Sequence, residues 1–137
     1  MTRIMVFGTF DIVHEGHRDF FRQARSLAAD PHLIVSVARD RVVQRIKGRE
    51  SRNAESYRAR SLEKEAGVDE VVLGQEHGYV AHIAAARPDI IALGYDQVGE
   101  FVDTLGKDLA DAGLHPTIVR LQAHMPDVYK TSKLSHN

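Results

Sequence analysis

Residues 6–17, with the sequence VFGTFDIVHEGH, decide the fold of this chain. They begin in an apolar run and end in two histidines, His14 and His17, with a glycine between them. Beyond them, apolar side chains such as Phe20 and Ala24 recur about every 3.6 positions, which is typical of an amphipathic helix. The stretch therefore predicts a strand, a tight turn and a helix whose first turn carries both imidazoles.

This turn has the features of a phosphate-binding site. The first turn of a helix presents free backbone N–H groups and a partial positive charge, and Gly8 and Gly16 allow the backbone to approach an anion closely. Positions three apart share a helix face, so His14 and His17 can point at one ligand. Imidazoles there can stabilise phosphoryl oxygens as charge builds on them, without acting as nucleophiles. Two histidines alone also leave open a surface pair or a stray metal pair.

The composition excludes several classes of function. The chain has 137 residues, enough for one domain with a single core, and it is 43% hydrophobic and 27% charged. A formal net charge of −1 gives no reason to expect nucleic acid as a partner, and the lack of cysteine excludes disulfides and thiolate chemistry. Apolar runs are far shorter than the ~20 residues of a membrane span, and the N-terminus lacks a signal-peptide pattern. We therefore expect a cytoplasmic protein that does not engage membranes.

Positive charge is concentrated in residues 39–60. This segment contains eight Lys or Arg and three Asp or Glu, a net of +5 against −6 for the remainder of the chain. Such a segment in a near-neutral domain fits either a small polyanionic ligand or a solvated helix face.

Five apolar runs alternate with helical patterns along the chain. Strands are predicted within residues 4–7, 33–37, 68–73, 89–93 and 116–121, and helices over residues 15–29, 42–46, 54–66, 80–86 and 101–112. Strands that are apolar throughout are typical of a parallel sheet buried on both faces, and the alternation implies βαβ crossovers. We predict an α/β fold, a Rossmann-like doubly wound five-stranded parallel sheet, forming a single domain over residues 1–137.

The fold rule also places the site. In doubly wound sheets, ligands bind beyond the carboxyl ends of the strands, where the strand order reverses. Residues 8–17, residues 94–97 and the residues after the last strand all fall at such ends. Neither the dinucleotide pattern G-x-G-x-x-G nor a P-loop occurs, so a hydride-transferring dehydrogenase is not expected.

GTFD at residues 8–11, followed by HEGH at residues 14–17, resembles the paired motifs of the H-x-G-H nucleotidylyltransferases. That family includes the cytidylyltransferases and the small archaeal-type FAD synthetases. The resemblance implies transfer of a nucleoside monophosphate from a nucleoside triphosphate to a phosphorylated acceptor, with release of pyrophosphate. It further implies Mg²⁺ carried in with the nucleotide, no metal site of the protein's own, and a homodimer.

The resemblance also implies roles for individual residues. His14, His17 and Lys47 are the implied catalytic groups, and Lys47 and Arg58 are implied to bind the acceptor, since a guanidinium fork matches a phosphate monoester. Asp11 is implied to shape the turn and to orient a histidine. The implied nucleotide-binding residues are Gly8, Thr9, Phe10, Asp11, His14, Gly16, His17, Gly94, Asp96, Tyr129, Lys130, Thr131 and Ser132.

The relatives differ in donor and acceptor. Residues 37–40, 47–49, 90–97 and 129–133 look like the archaeal-type FAD synthetases, which implies ATP and FMN as substrates. Glycerol-phosphate cytidylyltransferases carry an arginine before their last motif that reads the pyrimidine, whereas residues 122–128 contain none. CTP with glycerol 3-phosphate, or with another small phosphorylated alcohol or sugar, is therefore the alternative. A non-catalytic nucleotide-binding module is the third hypothesis.

The other histidines are predicted to lie outside the site, with one exception. His77 and His82 are five positions apart and do not share a helix face. We expect both to face solvent, together with His32, His115 and His136. His124 precedes the last motif and is a candidate for the pocket lining.

Overall fold

The computed structural model describes residues 1–49, 52–75, 78–97 and 100–122, without the side chains of Ile46, Glu100 and Phe101. Helices and strands alternate through these residues as the apolar pattern predicts. Their order is β1 (Thr2–Gly8), α1 (Glu15–Arg25), β2 (Pro31–Val37), α2 (Asp40–Lys47), α3 (Glu55–Glu63), β3 (Glu70–Leu73), α4 (Val80–Ala86), β4 (Ile90–Leu93), α5 (Glu100–Asp111) and β5 (Thr117–Arg120).

The five strands form one parallel sheet in the order β3-β2-β1-β4-β5. The central strand β1 pairs with β2 along its whole length, from Thr2 opposite Pro31 to Gly8 opposite Val37. The chain builds outward from β1 to β3 on one side and then returns to place β4 on the other side. The carboxyl ends of β1 and β4 therefore form the switch point of a doubly wound sheet, which confirms the predicted fold.

The sheet is buried on both faces. Alternate residues of β1 enter different cores: Ile4 packs in one cluster with Phe21 of α1, and Met5 packs in the other with Ile83 of α4. Leu62 of α3 joins the first cluster. Because both faces exclude water, the inner strands are apolar at nearly every position instead of alternating.

Two helices end earlier than the periodicity predicts. The predicted helix over residues 15–29 stops at Arg25, where the Ser26 hydroxyl donates to Gln23 O and so competes with the helical pattern. The predicted helix over residues 54–66 stops at Glu63, because the next N–H groups turn back to carbonyls three residues earlier, as Glu65 N does to Leu62 O.

The helices of the described part are short. The longest of them, α5, has 12 residues, and α1 has 11. None of the helices in these ranges is long and apolar enough to cross a lipid bilayer.

Candidate active site

The turn between β1 and α1 is built around Phe10. Its backbone lies in the left-handed region, with φ of 52°, which is uncommon for a residue other than glycine. The buried ring packs against Phe21, with ring centroids 5.6 Å apart, and meets the His17 ring edge-on at 5.2 Å. A Cβ at Gly8 would come within 2.7 Å of the Phe10 ring. Glycine at position 8 thus lets the ring fold back over the strand end and support His17.

His14 and His17 form a reciprocal cap at the start of α1. The Nδ1 atom of His14 accepts from Gly16 N at 3.0 Å, and the Nδ1 atom of His17 accepts from His14 N at 3.3 Å. The two rings stack with centroids 3.9 Å apart and 20° between their planes. Since Nδ1 of each ring is an acceptor, the neutral tautomer carries its proton on Nε2. The pair therefore carries two Nε2–H donors.

His17 is held in its neutral form. Burial lowers the pKa of His17 to about 4, assisted by the neighbouring His14 ring and by the positive charge of Arg18. At neutral pH this imidazole can donate a hydrogen bond from Nε2 but adds no net charge. The chemistry available is oriented donation to phosphoryl oxygens.

Asp11 ties this turn to the loop before α3. Its two carboxylate oxygens accept from the backbone N–H groups of Arg52 and Asn53, each at 2.7 Å, and Asn53 Nδ2 donates to Asp11 O at 2.8 Å. Burial alone would raise the pKa of Asp11, but these N–H groups and the charge of Arg58 keep it below its usual value. The shaping of the turn predicted for Asp11 fits these contacts. The bonds that orient the two histidines come from His14 N and Gly16 N.

Arg58 lies inside the protein. Its side chain is 0% exposed, and it donates to Thr9 O at 2.8 Å, Asn53 O at 2.9 Å and Asp40 Oδ1 at 2.7 Å. The sequence predicts a guanidinium that meets the acceptor's phosphate, whereas the observed fork is directed at backbone carbonyls and a carboxylate. Binding of the acceptor by Arg58 stays a prediction, and the geometry favours support of the turn.

Asp40 and Glu55 are the supporting residues that sequence reasoning missed. Each carboxylate accepts from the backbone N–H of the other, at 2.8 Å to Asp40 N and 3.1 Å to Glu55 N, at the starts of α2 and α3. Arg39 donates to Glu55 at 3.0 Å and to Gly74 O at 2.7 Å. Negative charge is stabilised at a helix start. The available signal was an acid at or just before the start of each predicted helix of the basic segment, Glu55 and Asp40.

The second wall of the site is the turn that follows β4. Gln97 accepts from Gly94 N at 2.8 Å and donates to Phe7 O at 3.4 Å, so it joins the carboxyl ends of β4 and β1. Arg120, at the end of β5, donates to Gly94 O at 2.9 Å and also to Gln97 O. Asp96 in this turn is exposed. The sequence predicts Gly94 and Asp96 here and misses the bracing by Gln97 and Arg120.

Several predicted residues lie away from these contacts or outside the described ranges. Lys47 is the exposed last residue of α2 and is followed by Gly48 at φ of 73°. Four residues of the predicted site lie outside the described ranges: Tyr129, Lys130, Thr131 and Ser132. The same is true of His77, His124 and His136.

The donor groups of the site fit phosphate oxygens better than a metal ion. Both histidines have Nδ1 engaged and present N–H at Nε2, and both oxygens of Asp11 accept backbone N–H groups. Within residues 1–49, 52–75, 78–97 and 100–122, no three His, Asp or Glu side chains are grouped so as to hold a metal.

The predicted exposure of two other histidines is wrong. His82 on α4 is buried, with Nε2 2.7 Å from Ser36 Oγ of β2, and burial lowers its pKa. The sequence feature that could have indicated a buried partner is Ser36, a polar residue within the apolar run of β2. His32 is half-buried beside Glu70, with Nε2 2.8 Å from Oε1, whereas His115 is exposed as predicted.

The chain has relatives among known proteins. A family model described as cytidylyltransferase-like matches residues 5–135. The chain belongs to the cytidylyltransferase-like family. Among curated relatives, the FAD synthase of Korarchaeum cryptofilum is 47% identical over 120 residues, covering 87% of this chain and 80% of the relative. The FAD synthase of Thermococcus sibiricus is 39% identical over 134 residues, covering 96% and 88%.

Solved structures support the same family. This cytidylyltransferase-like chain superposes on the lipopolysaccharide core biosynthesis protein of Thermoplasma volcanium with a TM-score of 0.81 and 32% identity, over 90% of this chain and 98% of that one. A protein with unknown function from Archaeoglobus fulgidus matches with a TM-score of 0.64 and 18% identity, over 94% and 95%, which concerns the fold alone. The predicted family and the predicted enzyme class, a nucleotidyltransferase, are confirmed.

Proposed function

We propose that this chain transfers the adenylyl group of ATP to FMN, giving FAD and pyrophosphate. The observation that carries the proposal is the pair of stacked histidines at the start of α1, with two Nε2–H donors at the switch point of the sheet. The similarity to FAD synthases over most of the chain supports ATP and FMN as the substrates.

The reaction needs little covalent chemistry from the protein. A phosphate oxygen of FMN attacks the α-phosphorus of ATP, a new P–O bond forms, the bond from that phosphorus to the bridging oxygen breaks, and pyrophosphate leaves with the electron pair. A phosphate monoester has its second pKa at about 6, so it is largely dianionic at neutral pH and needs no strong base. His14 and His17 donate from Nε2 to phosphate oxygens, where charge builds in the transition state.

The remaining predicted contacts fit this reaction. Backbone N–H groups of Thr9 and Phe10 and the first turn of α1 face the triphosphate, and Gly94 and Asp96 face the nucleoside. Lys47 is proposed to reach the phosphates from the end of α2. Mg²⁺, bound to the triphosphate oxygens, would neutralise part of their charge. The roles of Tyr129, Lys130, Thr131, Ser132 and Arg58 in binding, the homodimer, the absence of a nucleic-acid partner and the cytoplasmic location stay predictions.

Cytidylyl transfer is the second candidate. The family model is described as cytidylyltransferase-like, and the solved relative from Thermoplasma volcanium is named for lipopolysaccharide core biosynthesis and not for flavin. CTP with glycerol 3-phosphate, or with another small phosphorylated alcohol or sugar, would use the same phosphate-binding turn.

The decisive experiment measures pyrophosphate release with Mg²⁺ while ATP and CTP are each combined with FMN and with glycerol 3-phosphate. We expect release only with ATP and FMN, with FAD as the second product, and loss of this signal in His14→Ala. His115→Ala is the control, since His115 is an exposed histidine at the opposite edge of the sheet.

Other outcomes would reject the proposal. Release only with CTP would assign cytidylyl transfer. ATP or CTP binding, measured by titration, without release in any combination would favour a nucleotide-binding module without turnover.

A further inference from the structure

We propose that Arg58 is a positioning residue that aims the Phe10 N–H at the phosphates of the bound nucleotide. It acts through the Thr9 carbonyl and touches no substrate itself. This inference rests on the proposed role of the β1–α1 turn as the phosphate site. It is an alternative to the direct contact with the acceptor that the sequence predicts for Arg58, and the experiment below distinguishes the two.

The orientation of the peptide between Thr9 and Phe10 is set by Arg58. In a trans peptide the C=O and the N–H point in opposite directions, and the Thr9 carbonyl shares its peptide plane with the Phe10 N–H. Arg58 Nη1 donates to Thr9 O at 2.8 Å from a side chain that is 0% exposed. The carbonyl is therefore turned into the protein, and the Phe10 N–H points away from the guanidinium.

The Phe10 N–H is a hydrogen-bond donor that is available to a ligand. Phe10 is 5% exposed, yet among the residues that the structure describes its N–H donates to no protein acceptor. Buried backbone N–H groups almost always have a partner. The Phe10 ring touches His17, so this N–H belongs to the same turn as the two Nε2–H donors. A phosphoryl oxygen is the acceptor that such a group of donors fits.

Arg58 is held rigidly by its other hydrogen bonds. Its other two donors hold Asn53 O at 2.9 Å and Asp40 Oδ1 at 2.7 Å. Asp40 is itself bonded to Glu55, and Asn53 to Asp11. The guanidinium that donates to Thr9 O is thus held in place by the starts of α2 and α3 and by the loop at Asn53. Such a bond helps to hold Phe10 at its left-handed φ, a conformation that costs about 1 kcal/mol or more outside glycine.

Arg58→Lys tests the inference, with Arg60→Lys as the matched control. Lysine keeps the charge beside Asp40 but lacks the planar fork that reaches Thr9 O, Asn53 O and Asp40 together. Arg60 is an exposed arginine of the same helix, α3. Affinity for ATP–Mg²⁺ and for inorganic pyrophosphate is measured by titration, and kcat and the KM for FMN are measured at saturating ATP.

We expect Arg58→Lys to bind both ATP and pyrophosphate at least about ten-fold more weakly, the effect of losing one oriented donor to a charged group. The KM for FMN should not change, kcat should fall, and Arg60→Lys should behave as the unmodified protein. Wild-type affinity for ATP and pyrophosphate in the folded fraction of Arg58→Lys would overturn the inference, as would a raised KM for FMN with normal ATP affinity.

Asp40→Asn keeps the test decisive if Arg58→Lys does not fold. This variant preserves the side-chain shape and weakens the hold on Arg58, so we expect a smaller loss of ATP and pyrophosphate affinity in the same direction, and unchanged affinity would overturn the inference. Titration also separates the two proposals. A protein that binds ATP but makes no FAD contradicts the proposed reaction and still reports on Arg58, and a protein that binds neither ligand contradicts both.

Discussion

Among the single residues of the site, His17 makes the sharpest prediction about pH. The folded protein lowers the pKa of His17 from 6.5 to about 4, mainly through burial. Between pH 4 and pH 6.5, His17 is protonated in the unfolded chain and neutral in the folded chain. Its contribution to stability is therefore complete above pH 6.5 and is lost as the pH falls toward 4. The buried His82, whose pKa is also lowered, adds to the loss in the same direction.

We expect the free energy of unfolding to fall by about 1 to 2 kcal/mol between pH 7 and pH 5 on account of His17. Urea unfolding at pH 7 and pH 5 gives the change in the free energy of unfolding for the unmodified protein and for His17→Gln. The difference between these two changes is the contribution of His17. An NMR titration of the His17 ring should give a midpoint near pH 4 in the absence of ligand. A midpoint near 6.5 would mean that the imidazole is open to water and carries charge during catalysis at mildly acidic pH.

At the scale of elements, the carboxyl end of β1 packs against the turn that leads into α1. Gly8 has room for a hydrogen only, because a Cβ would approach the Phe10 ring to 2.7 Å. Gly8→Ala should force the ring off Phe21 and His17, lower the free energy of unfolding by about 1 to 3 kcal/mol and weaken ATP binding. Urea unfolding and ATP titration measure the two effects.

Gly106→Ala in α5 is the matched control for Gly8→Ala. The new Cβ would lie 3.7 Å from Ile118 Cδ1, an ordinary contact, and alanine favours a helix over glycine by up to about 1 kcal/mol. It should keep or raise stability and leave ATP affinity unchanged. Equal effects of the two substitutions would show that the ring above Gly8 is not what shapes the turn.

For the whole molecule, the limits of sequence reasoning follow from the range of each interaction. The strands, the helices and the pairing of His14 with His17 depend on local spacing, and all of them occur near the predicted positions, although α1 and α3 end early. The burial of Arg58 and His82 was not predicted, because their partners, Thr9 and Ser36, are 49 and 46 positions away. Which arginine of a basic segment is buried depends on such distant acceptors, and composition does not reveal them.

We expect the carboxyl ends of the strands to serve binding and the amino ends to serve stability alone, and two aspartates test this expectation. Asp69 lies at the amino edge and accepts from Leu33 N at 2.8 Å and from Arg25, whereas Asp11 lies at the carboxyl edge and accepts from Arg52 N and Asn53 N. Each anchors one loop through a pair of hydrogen bonds. Their removal should therefore cost similar stability but different activity.

Asp69→Ala and Asp11→Ala should each lower the free energy of unfolding by about 1 to 3 kcal/mol, since each leaves N–H donors without their carboxylate. Only Asp11→Ala should also weaken ATP binding, because the Asp11 carboxylate joins the proposed phosphate-binding turn to the loop that holds Arg58. Urea unfolding and ATP titration on both variants decide the matter. Weakened ATP binding in Asp69→Ala would mean that the amino edge is coupled to the site through the sheet, and binding would then depend on the stability of the whole domain instead of the turn alone.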